Sequence, residues 1–414
     1  MRPFARLIPL PTAMGRLLRA IRPVTSEERT PVAEALGRVS ARTYRARVAV
    51  PPFARATWDG YAFSHPSVSA ASARRPVRLR LVGEVFAEGA FDRRVGPDEA
   101  VAIATGAPLP PGTDTVVIFE EVEVVANEVL VHRSVGPGER VAGPGEDFAK
   151  GTVVVRSGAV LSPADLGGLA ATGTTTVDVR IRPTVPILPN GNELVLPGAP
   201  LPPGRIYETN NLTLAAAVRA SGCIPVPLPP APDDPRAIET AIRRALDVGD
   251  LVLVTGGSSV GERDYLPTIF PRLGRVLFHG IAVRPGKPTL AVEVGRKVVL
   301  GLPGHPTSCL SNGFWMLVPA LRRLAGLGGP GWIDGSVTMA EGYPVVPSEF
   351  TTVVPLRVDG GRARPTFRDS SAISSLSGAN AFRLLPPRSR GLRKGQSVEV
   401  HYLLPPLANP PAPG

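Results

Sequence analysis

The sequence is poor in several residue types that define whole classes of protein. Two cysteines in 414 residues are too few for a disulfide scaffold or a zinc cluster, and the five histidines have no ligand spacing. Aromatic residues make up only 5% of the chain and are not interleaved with basic runs, which argues against a nucleic-acid platform. No apolar run approaches the roughly 20 residues that a membrane-spanning helix needs. These absences predict a reduced, cytoplasmic protein that binds neither nucleic acid nor membrane.

Lysine is scarce too, although the chain is strongly basic. The formal net charge is +11, but lysine occurs only at Lys150, Lys287, Lys297 and Lys394, and the other basic residues are arginine. Arginines are spread along the whole chain, which favours coding bias, while attraction for phosphorylated ligands stays open as an alternative. A lysine inside a loop motif is therefore more informative here than in most sequences.

The amino terminus is compatible with two interpretations. Its five arginines, with no acidic residue before Glu27, are a composition shared with transit peptides. Apolar residues at helical spacing over residues 12–21 favour instead an ordinary amphipathic helix. Ser26-Glu27-Glu28 then predicts a second short helix, because a serine cap followed by acids suits the helix dipole.

Changes in pattern divide the rest of the chain into segments. Short β runs between proline and glycine dipeptides predict a β-rich domain over residues 51–145. Apolar strands then alternate with helices, which predicts a doubly wound, parallel α/β domain over residues 181–327. Short β runs return in residues 328–405, predicted as a small β-barrel domain, and residues 406–414 are predicted to be a disordered tail.

Candidate binding residues follow the strands of the predicted parallel sheet, where ligands bind in such folds. Leu251–Thr255 leads into Gly256-Gly257-Ser258-Ser259-Val260-Gly261, whose small residues let N–H groups and hydroxyls face an anion, although turn chemistry alone explains the same pattern. Acids follow at Asp264, at Asp233-Asp234 and in Asn190-Gly191-Asn192-Glu193. Each acid alone is as readily a helix cap or a surface group. Gathered at one edge, they could hold Mg²⁺ that bridges to ligand phosphates.

Two further motifs favour anion binding. Pro285-Gly286-Lys287-Pro288 puts one of the four lysines in a rigid turn, which predicts an oxyanion contact. Residues 301–308 run from a strand into a helix whose first N–H groups, with Thr307 and Ser308, predict a second anion site, while a purely structural role stays open. His305 either caps this helix or contacts a ligand. No Ser-His-Asp or Cys-His constellation can be assembled, so the predicted chemistry is oxyanion binding, Mg²⁺ coordination and water activation by a carboxylate.

At these residues the sequence resembles the molybdopterin molybdenumtransferase family, which includes MoeA and the E domain of gephyrin. The resemblance covers nearly the whole chain. It is carried by Trp58-Asp59-Gly60-Tyr61-Ala62, Gly145-Glu146-Asp147-Phe148, Asp264-Tyr265 and residues 104–114, 204–210, 255–261, 284–288, 301–308 and 370–380.

This resemblance implies a fold, an assembly and a reaction. Residues 1–50 and 146–180 would form one discontinuous N-terminal domain of a four-domain chain, in a homodimer with its site at the subunit interface. The N-terminal and β-rich domains of one chain would face the α/β domain of the other. The reaction would insert molybdenum from molybdate into adenylylated molybdopterin, with hydrolysis of the phosphoanhydride and release of AMP, and would use Mg²⁺. Implied protein partners are the molybdopterin adenylyltransferase and apo-molybdoenzymes.

The resemblance also implies roles for residues that match the family's motifs. The pterin-nucleotide and metal side would comprise Asp59, Thr105, Asp147, Glu193, Asp233, Asp234 and Asp264. Of these, Glu193, Asp233 and Asp264 would be the metal ligands, and the catalytic residues would be Asp59, Thr105, Asp147, Glu193, Asp264 and Lys287. Molybdate would lie beside Arg284, Lys287, Ser308 and Ser370. Further substrate contacts are expected at Gly256, Gly257, Ser258, Ser259, Gly261, Pro288, Pro303, Gly304, His305 and Pro306.

Four departures from the family pattern keep alternatives open. Residues 54–58, beginning at Ala54, differ from the Asp-Asn-Ser-Ala-Met that the family usually has. The other three departures are single residues: Asn192 stands where the family usually has an aspartate, His305 where it has an asparagine, and Thr352 where it has an arginine. A diverged paralogue that binds molybdopterin or its nucleotide as a carrier or scaffold is one alternative, and a tungstate-specific insertase is another. An enzyme of sugar-phosphate or nucleotide chemistry on a similar sheet is the third.

Overall fold

The computed structural model describes residues 7–258, 264–405 and 407. The chain divides into two compact units, one formed by residues 29–179 and the other by residues 1–28 together with 180–414. The four-domain division is finer than this and stays a prediction. Ser259 and Gly261, and all of the predicted tail except Leu407, lie outside the described residues.

The predicted amphipathic helix near the amino terminus is confirmed as α1 (Leu10–Ala20), which buries Leu10, Ala13, Leu17 and Ala20. The second predicted helix is wrong. Residues Glu27–Pro31 form strand β1 instead. The residue before a proline is driven out of the α region, so Thr30-Pro31 opposes a helix, and the extended segment pairs with a later strand.

The unit of residues 29–179 is built mainly from short strands, as predicted for its β-rich part. Beyond β1 its elements are β2 (Tyr44–Arg45), β3 (Arg55–Ala56), β4 (Gly60–Phe63), β5 (Val77–Val85), β6 (Glu99–Ile103), β7 (Thr115–Ile118), β8 (Val122–Val125), β9 (Glu128–Val131), β10 (Val141–Ala142), β11 (Val153–Val155), α2 (Pro163–Ala171) and β12 (Thr176–Arg180).

A six-stranded sheet in the order β7-β4-β6-β5-β9-β8 is the centre of this unit. Its strand β4 is buried along its whole length, because the sheet is covered on both faces. Tyr61 and Phe63 enter one hydrophobic cluster and Ala62 the other, as the two-residue period of a strand requires. At one end of this sheet lie the loop before β4, which carries Asp59, and the loop after β6, which carries Thr105.

The second unit contains the predicted α/β domain. Its elements are β13 (Thr184–Pro189), β14 (Leu194–Val195), β15 (Ile206–Tyr207), α3 (Asn210–Ala220), β16 (Ile224–Pro227), α4 (Pro235–Val248), β17 (Leu251–Thr255), α5 (Leu266–Leu273), β18 (Arg275–His279), β19 (Val283–Arg284), β20 (Leu290–Val294), β21 (Lys297–Leu302), α6 (Pro306–Asn312), a π-helical turn (Gly313–Leu317) and α7 (Val318–Leu324).

Four strands of the six-stranded sheet of this domain pair in parallel, and the last two join it through antiparallel pairs. Its order is β16-β13-β17-β21-β20-β18, and β20 and β18 run antiparallel to their neighbours. The two-residue turn Gly295-Arg296 joins β20 to β21, and so short a connection permits only an antiparallel pair. The doubly wound fold is confirmed, but an all-parallel sheet is not. As a consequence, β20 begins at the edge where the parallel strands end.

The carboxyl-terminal part of the second unit is the predicted β-barrel. It comprises β22 (Trp332–Met339), β23 (Tyr343–Pro344), β24 (Thr351–Asp359), β25 (Arg362–Pro365), α8 (Ser374–Ser377), β26 (Ala381–Leu385), β27 (Gly391–Leu392) and β28 (Ser397–Leu403). Pairing runs from β24 through β25, β22, β28 and β26 back to β24, which closes a ring. Strand β24 also pairs with β19, where Val283 lies opposite Thr351 and Arg284 opposite Thr352.

The cysteines of this unit take no part in cross-links. Cys223 and Cys309 are both free and buried, and burial raises the pKa of the Cys223 thiol to about 12. Burial raises the pKa of the Cys309 thiol as well. Both side chains are therefore neutral thiols at physiological pH. Across the described ranges, the helices are too short or too polar to traverse a lipid bilayer.

Candidate functional site

A cavity of about 620 Å³ opens where the loops after β13, β16, β17 and β21 meet the loop before β20 and the barrel. It brings together most of the site residues predicted in this unit. These are Glu193, Asp233, Gly256, Gly257, Ser258, Asp264, Arg284, Lys287, Pro288, Pro303, Gly304, His305, Ser308 and Ser370. Phe350 and Val283 line the cavity as well and were not predicted as site residues.

Some predicted residues have local structural roles instead. Asp234 is the N-cap of α4, where its Oδ1 accepts a hydrogen bond of 2.7 Å from the Ala237 N–H. Pro306 is the first residue of α6. Neither residue is among the described residues that line the cavity. Asp233 lines it and Asp234 does not, so one residue of the predicted acidic pair faces the cavity and the other caps a helix.

The glycine-rich loop after β17 lies directly against the loop after β13. Gly256 and Gly257 have φ values of +84° and +62°. A Cβ at Gly256 would lie 2.4 Å from the Asn190 carbonyl oxygen, and one at Gly257 would lie 2.5 Å from the Asn190 side-chain nitrogen. Glycine is therefore required here for both conformation and space. The hydroxyl of Ser258 donates to the Leu302 carbonyl at 3.4 Å, so this predicted anion donor is engaged within the fold.

Three carboxylates line the side of the cavity formed by the parallel strands. Asp233 and Asn192 exchange hydrogen bonds, with the Asn192 N–H donating to Asp233 Oδ2 at 3.2 Å and the Asp233 N–H to Asn192 Oδ1 at 3.3 Å. A Cβ at Gly191 would lie 2.5 Å from a carboxylate oxygen of Glu193, so the main chain approaches this acid closely. Asp264, the third acid, is half-buried beyond the glycine loop.

These carboxylates fit one kind of cation better than others. Within the described residues, no three or more His, Cys, Asp or Glu side chains are grouped to hold a metal ion. A preformed cage of the zinc or calcium type is therefore not built into this part of the chain. Mg²⁺ keeps several of its waters and takes one or two carboxylates together with substrate phosphates. A cavity lined by Glu193, Asp233 and Asp264 suits that mode of binding.

Basic side chains line the cavity at the end of β19 and in the β19–β20 loop. Lys287 lies at its edge because β20 is antiparallel and begins there. The Ile281 N–H donates to the Lys287 carbonyl at 2.9 Å and fixes the main chain. The Arg284 guanidinium stacks over the Phe350 ring at 4.2 Å, a cation–π contact that orients it. No local pattern marks Phe350 as its partner, because the two residues are distant in sequence.

The start of α6 is joined to the barrel by side-chain and main-chain contacts. His305 Nδ1 lies 3.1 Å from Ser370 Oγ, and the Ser308 N–H donates to the Ser370 carbonyl at 3.4 Å. The Thr307 hydroxyl donates to the Ala372 carbonyl at 2.6 Å and so stabilises the fold rather than a ligand. Of the residues predicted for an anion site at this helix start, His305, Ser308 and Ser370 line the cavity and Thr307 does not.

Asp369 is a carboxylate that the sequence did not single out, next to Ser370. It accepts hydrogen bonds from the Ser371 hydroxyl at 2.6 Å, the Ser371 N–H at 2.7 Å and the Ala372 N–H at 3.0 Å. These bonds, led by that of the hydroxyl, hold the pKa of Asp369 below its ordinary value, and the nearby His305 acts in the same direction. Asp369 is therefore ionised near neutral pH and shapes the loop that presents Ser370.

The other three predicted catalytic residues belong to the unit of residues 29–179. The Thr105 N–H and hydroxyl both donate to Asp59 Oδ1, at 2.6 and 2.9 Å. These bonds, the N–H first, hold the pKa of Asp59 below its ordinary value, so the carboxylate stays ionised to lower pH than a free aspartate. Trp58, next to it, is 60% exposed. Asp147 is exposed on a separate loop, where its N–H donates to the Val50 carbonyl at 3.0 Å.

Thr105→Val is expected to raise the pKa of Asp59 part of the way toward its ordinary value. Valine removes the hydroxyl donor but keeps the N–H, which contributes more to the lowering. The measurement is a pH titration of the Asp59 carboxyl carbon by NMR. Thr113→Val is the matched control, since the Thr113 hydroxyl donates to the Pro110 carbonyl instead. An unchanged titration of Asp59 in Thr105→Val would contradict the hydrogen bond.

Comparison with known families accounts for nearly the whole chain. The MoeA N-terminal region (domain I and II) matches residues 8–173. A probable molybdopterin binding domain matches residues 186–323, and the MoeA C-terminal region (domain IV) matches residues 339–403. The three matched segments follow one another in chain order.

Individual relatives agree with this assignment. The chain is 32% identical to the molybdopterin molybdenumtransferase of Bacillus subtilis over 377 residues, covering 89% of this chain and 87% of that protein. Molybdopterin molybdenumtransferase 2 of Mycobacterium tuberculosis is 33% identical, covering 77% of this chain and 79% of that protein. A solved structure of a molybdopterin biosynthesis MoeA protein from Pyrococcus horikosii is 35% identical with a TM-score of 0.83, covering 96% of this chain and 99% of that one. The chain belongs to the molybdopterin molybdenumtransferase family.

Proposed function

We propose that this protein is an active enzyme of molybdenum cofactor biosynthesis that inserts molybdenum from molybdate into adenylylated molybdopterin and releases AMP. The observation that carries the proposal is one cavity with basic and hydroxyl groups on one side and three carboxylates on the other. Such a division suits a substrate pair in which one member is a tetrahedral oxyanion and the other a phosphate ester. Family membership supports the same reaction.

The basic side of the cavity supports the assignment of molybdate. Lys287 supplies a compact point charge, and Arg284 a guanidinium oriented by Phe350. His305 and Ser370, 3.1 Å apart, add further donors. Hydrogen bonds in which the acceptor is ionised are shorter and stronger than neutral ones, so these groups favour an oxyanion over a neutral ligand.

The carboxylate side supports binding of Mg²⁺ together with the nucleotide. One or two of Glu193, Asp233 and Asp264 would hold the ion, together with the substrate phosphates. When bound, it would neutralise charge on the phosphoanhydride that is hydrolysed. The reciprocal hydrogen bonds between Asp233 and Asn192 hold the Asp233 carboxylate in place. Asn192 adds an amide where the family usually has a second carboxylate, so this side carries less negative charge.

The remaining proposals concern assembly and setting. We infer a homodimer in which Asp59, Thr105 and Asp147 of one chain complete the site of its partner, because family membership favours that arrangement. The ionised Asp59, held by Thr105, would then face the pterin-nucleotide. We also propose a cytoplasmic location and contacts with the molybdopterin adenylyltransferase and apo-molybdoenzymes, which would deliver the substrate and accept the product.

Release of AMP tests the proposed reaction directly. Purified protein supplied with adenylylated molybdopterin, molybdate and Mg²⁺ is expected to release AMP, measured by chromatography. The control is the double variant Asp264→Ala, Lys287→Ala, which removes one group from each side of the cavity. Release no faster than in this control would exclude the proposed function.

The threonine at position 352 favours a second candidate function, that of a carrier. It lies opposite Arg284 in the β19–β24 pair, at a position where the family usually has a second arginine. A chain that lacks this charge could bind molybdopterin or its nucleotide without efficient insertion. Calorimetric binding without AMP release would support the carrier, and recovery of release in Thr352→Arg would identify the missing charge as the cause. Repeating the assay with tungstate distinguishes a tungstate-specific insertase.

A further inference from the structure

A fully buried asparagine lies behind the cavity, outside its lining. Asn312, the last residue of α6, is 0% exposed. Its side-chain amide donates to the Gly286 carbonyl at 3.0 Å and to the Thr289 hydroxyl oxygen at 2.5 Å. The Thr289 hydroxyl in turn donates to the same Gly286 carbonyl at 2.8 Å. These three groups form a closed triangle of hydrogen bonds around one peptide carbonyl.

That carbonyl belongs to the residue immediately before Lys287. Gly286 has a φ of +108°, and a Cβ there would lie 2.3 Å from both the oxygen and the nitrogen of the Asn312 carboxamide. The peptide therefore lies directly on the asparagine. On the other side, the Lys287 carbonyl accepts from the Ile281 N–H at 2.9 Å. The main chain is thus held both before and after Lys287.

Packing alone does not explain an asparagine at position 312. Among the described residues, Asn312 Oδ1 has no hydrogen-bond partner although it is buried. A buried acceptor without a partner loses its hydration and gains nothing in return, so such groups are rare and call for an explanation. The amide nitrogen, which makes both contacts with the Lys287 loop, supplies one.

We propose that Asn312 is a positioning residue that fixes the Lys287 loop at the oxyanion side of the cavity. The expected effect on catalysis rests on the proposed function. The expected effect on the position of the Lys287 loop does not. Asn312 donates hydrogen bonds to Gly286 and Thr289, which flank Lys287 in the chain. It sets the direction in which the main chain presents the Lys287 side chain, and small displacements of a charged group in a binding site have large effects on ligand affinity and rate.

Asn380 offers a matched control in the barrel. It is 2% exposed, and its carboxamide accepts from the Val358 N–H at 2.8 Å and donates to the Val358 carbonyl at 2.9 Å. Both asparagines are thus buried and bonded to main-chain groups, but only Asn312 contacts the Lys287 loop. Asn312→Ala and Asn380→Ala are both expected to lower the melting temperature. Only Asn312→Ala is expected to raise the KM for molybdate, by about tenfold or more.

A second readout needs no substrate, because the chain has only four lysines. Protein labelled with ¹³C at lysine Cε gives four resolvable signals, and Lys287→Arg identifies that of Lys287. We expect this signal to shift or broaden in Asn312→Ala and to stay unchanged in Asn380→Ala. Should Asn312→Ala fail to fold, Asn312→Asp, which keeps the size but loses the NH₂ group, is expected to show the same change.

The possible outcomes separate this inference from the proposed function. A shifted Lys287 signal in a protein whose wild type releases no AMP would support the positioning role and reject the proposed reaction. An unchanged Lys287 signal and an unchanged KM in a folded Asn312 variant would overturn the inference. Equal rises in KM in both asparagine variants would overturn it as well, since a general loss of stability would then explain them.

Discussion

Lys287→Ala is expected to slow molybdate-dependent AMP release by about 10²–10³-fold, the effect of removing one preorganised charged or hydrogen-bonding donor from a reacting oxyanion. The side chain is exposed at the cavity edge. The variant is therefore expected to stay folded, which circular dichroism checks. The measurement is the steady-state rate of AMP release as a function of molybdate concentration.

Lys394→Ala is the control for this prediction. Lys394 is exposed in the turn before β28 and outside the residues that line the cavity, so its loss should leave the rate unchanged. Lys287→Arg keeps the charge and should retain part of the activity, because a planar guanidinium cannot reproduce a compact ammonium. A wild-type rate of AMP release in Lys287→Ala would show that the reaction of molybdate does not require this side chain.

Gly286→Ala is expected to lower the free energy of unfolding by about 2–5 kcal/mol. A left-handed conformation costs a residue with a Cβ about 1–2 kcal/mol. Overpacking of a buried site adds about 1–3 kcal/mol. Both terms apply at Gly286, whose φ is +108° and whose Cβ would lie 2.3 Å from the Asn312 carboxamide. The measurement is the midpoint and slope of urea-induced unfolding.

The matched control separates conformation from crowding. Gly295, in the turn between β20 and β21, has a φ of +60°, and nothing lies within 4 Å of a Cβ built there. Gly295→Ala should therefore lower the free energy of unfolding only by the conformational cost, about 1–2 kcal/mol. Equal losses in the two variants would contradict the close contact between Gly286 and Asn312.

The sequence predicted those parts of the fold that have local signals. Strand β17 is an uninterrupted apolar run that ends in two glycines, and β21 ends in a comparable glycine-proline loop. Both strands lie within about a residue of their expected positions, because each is buried on both faces and bounded by turns. The loops that follow them carry the cavity for the same reason.

Long-range contacts account for what the sequence could not predict. Helix α5 contains two prolines and strand β18 has no alternation to mark it, so neither was expected. Likewise, no local pattern connects Asn312 with Gly286, since the contact exists only after α6 has packed behind the β19–β20 loop.

The pairing of β24 with β19 also has a consequence for domain exchange among relatives. The glycine-rich connection over residues 326–331 resembles a natural junction at which the barrel could be detached or swapped. Yet the Thr351 N–H donates to the Ala282 carbonyl at 2.9 Å, and Thr307 bonds to Ala372 on another side of the cavity. A chimaera joined at this connection has to form both contacts again with its new barrel, so its cavity depends on how well that barrel meets β19 and the start of α6.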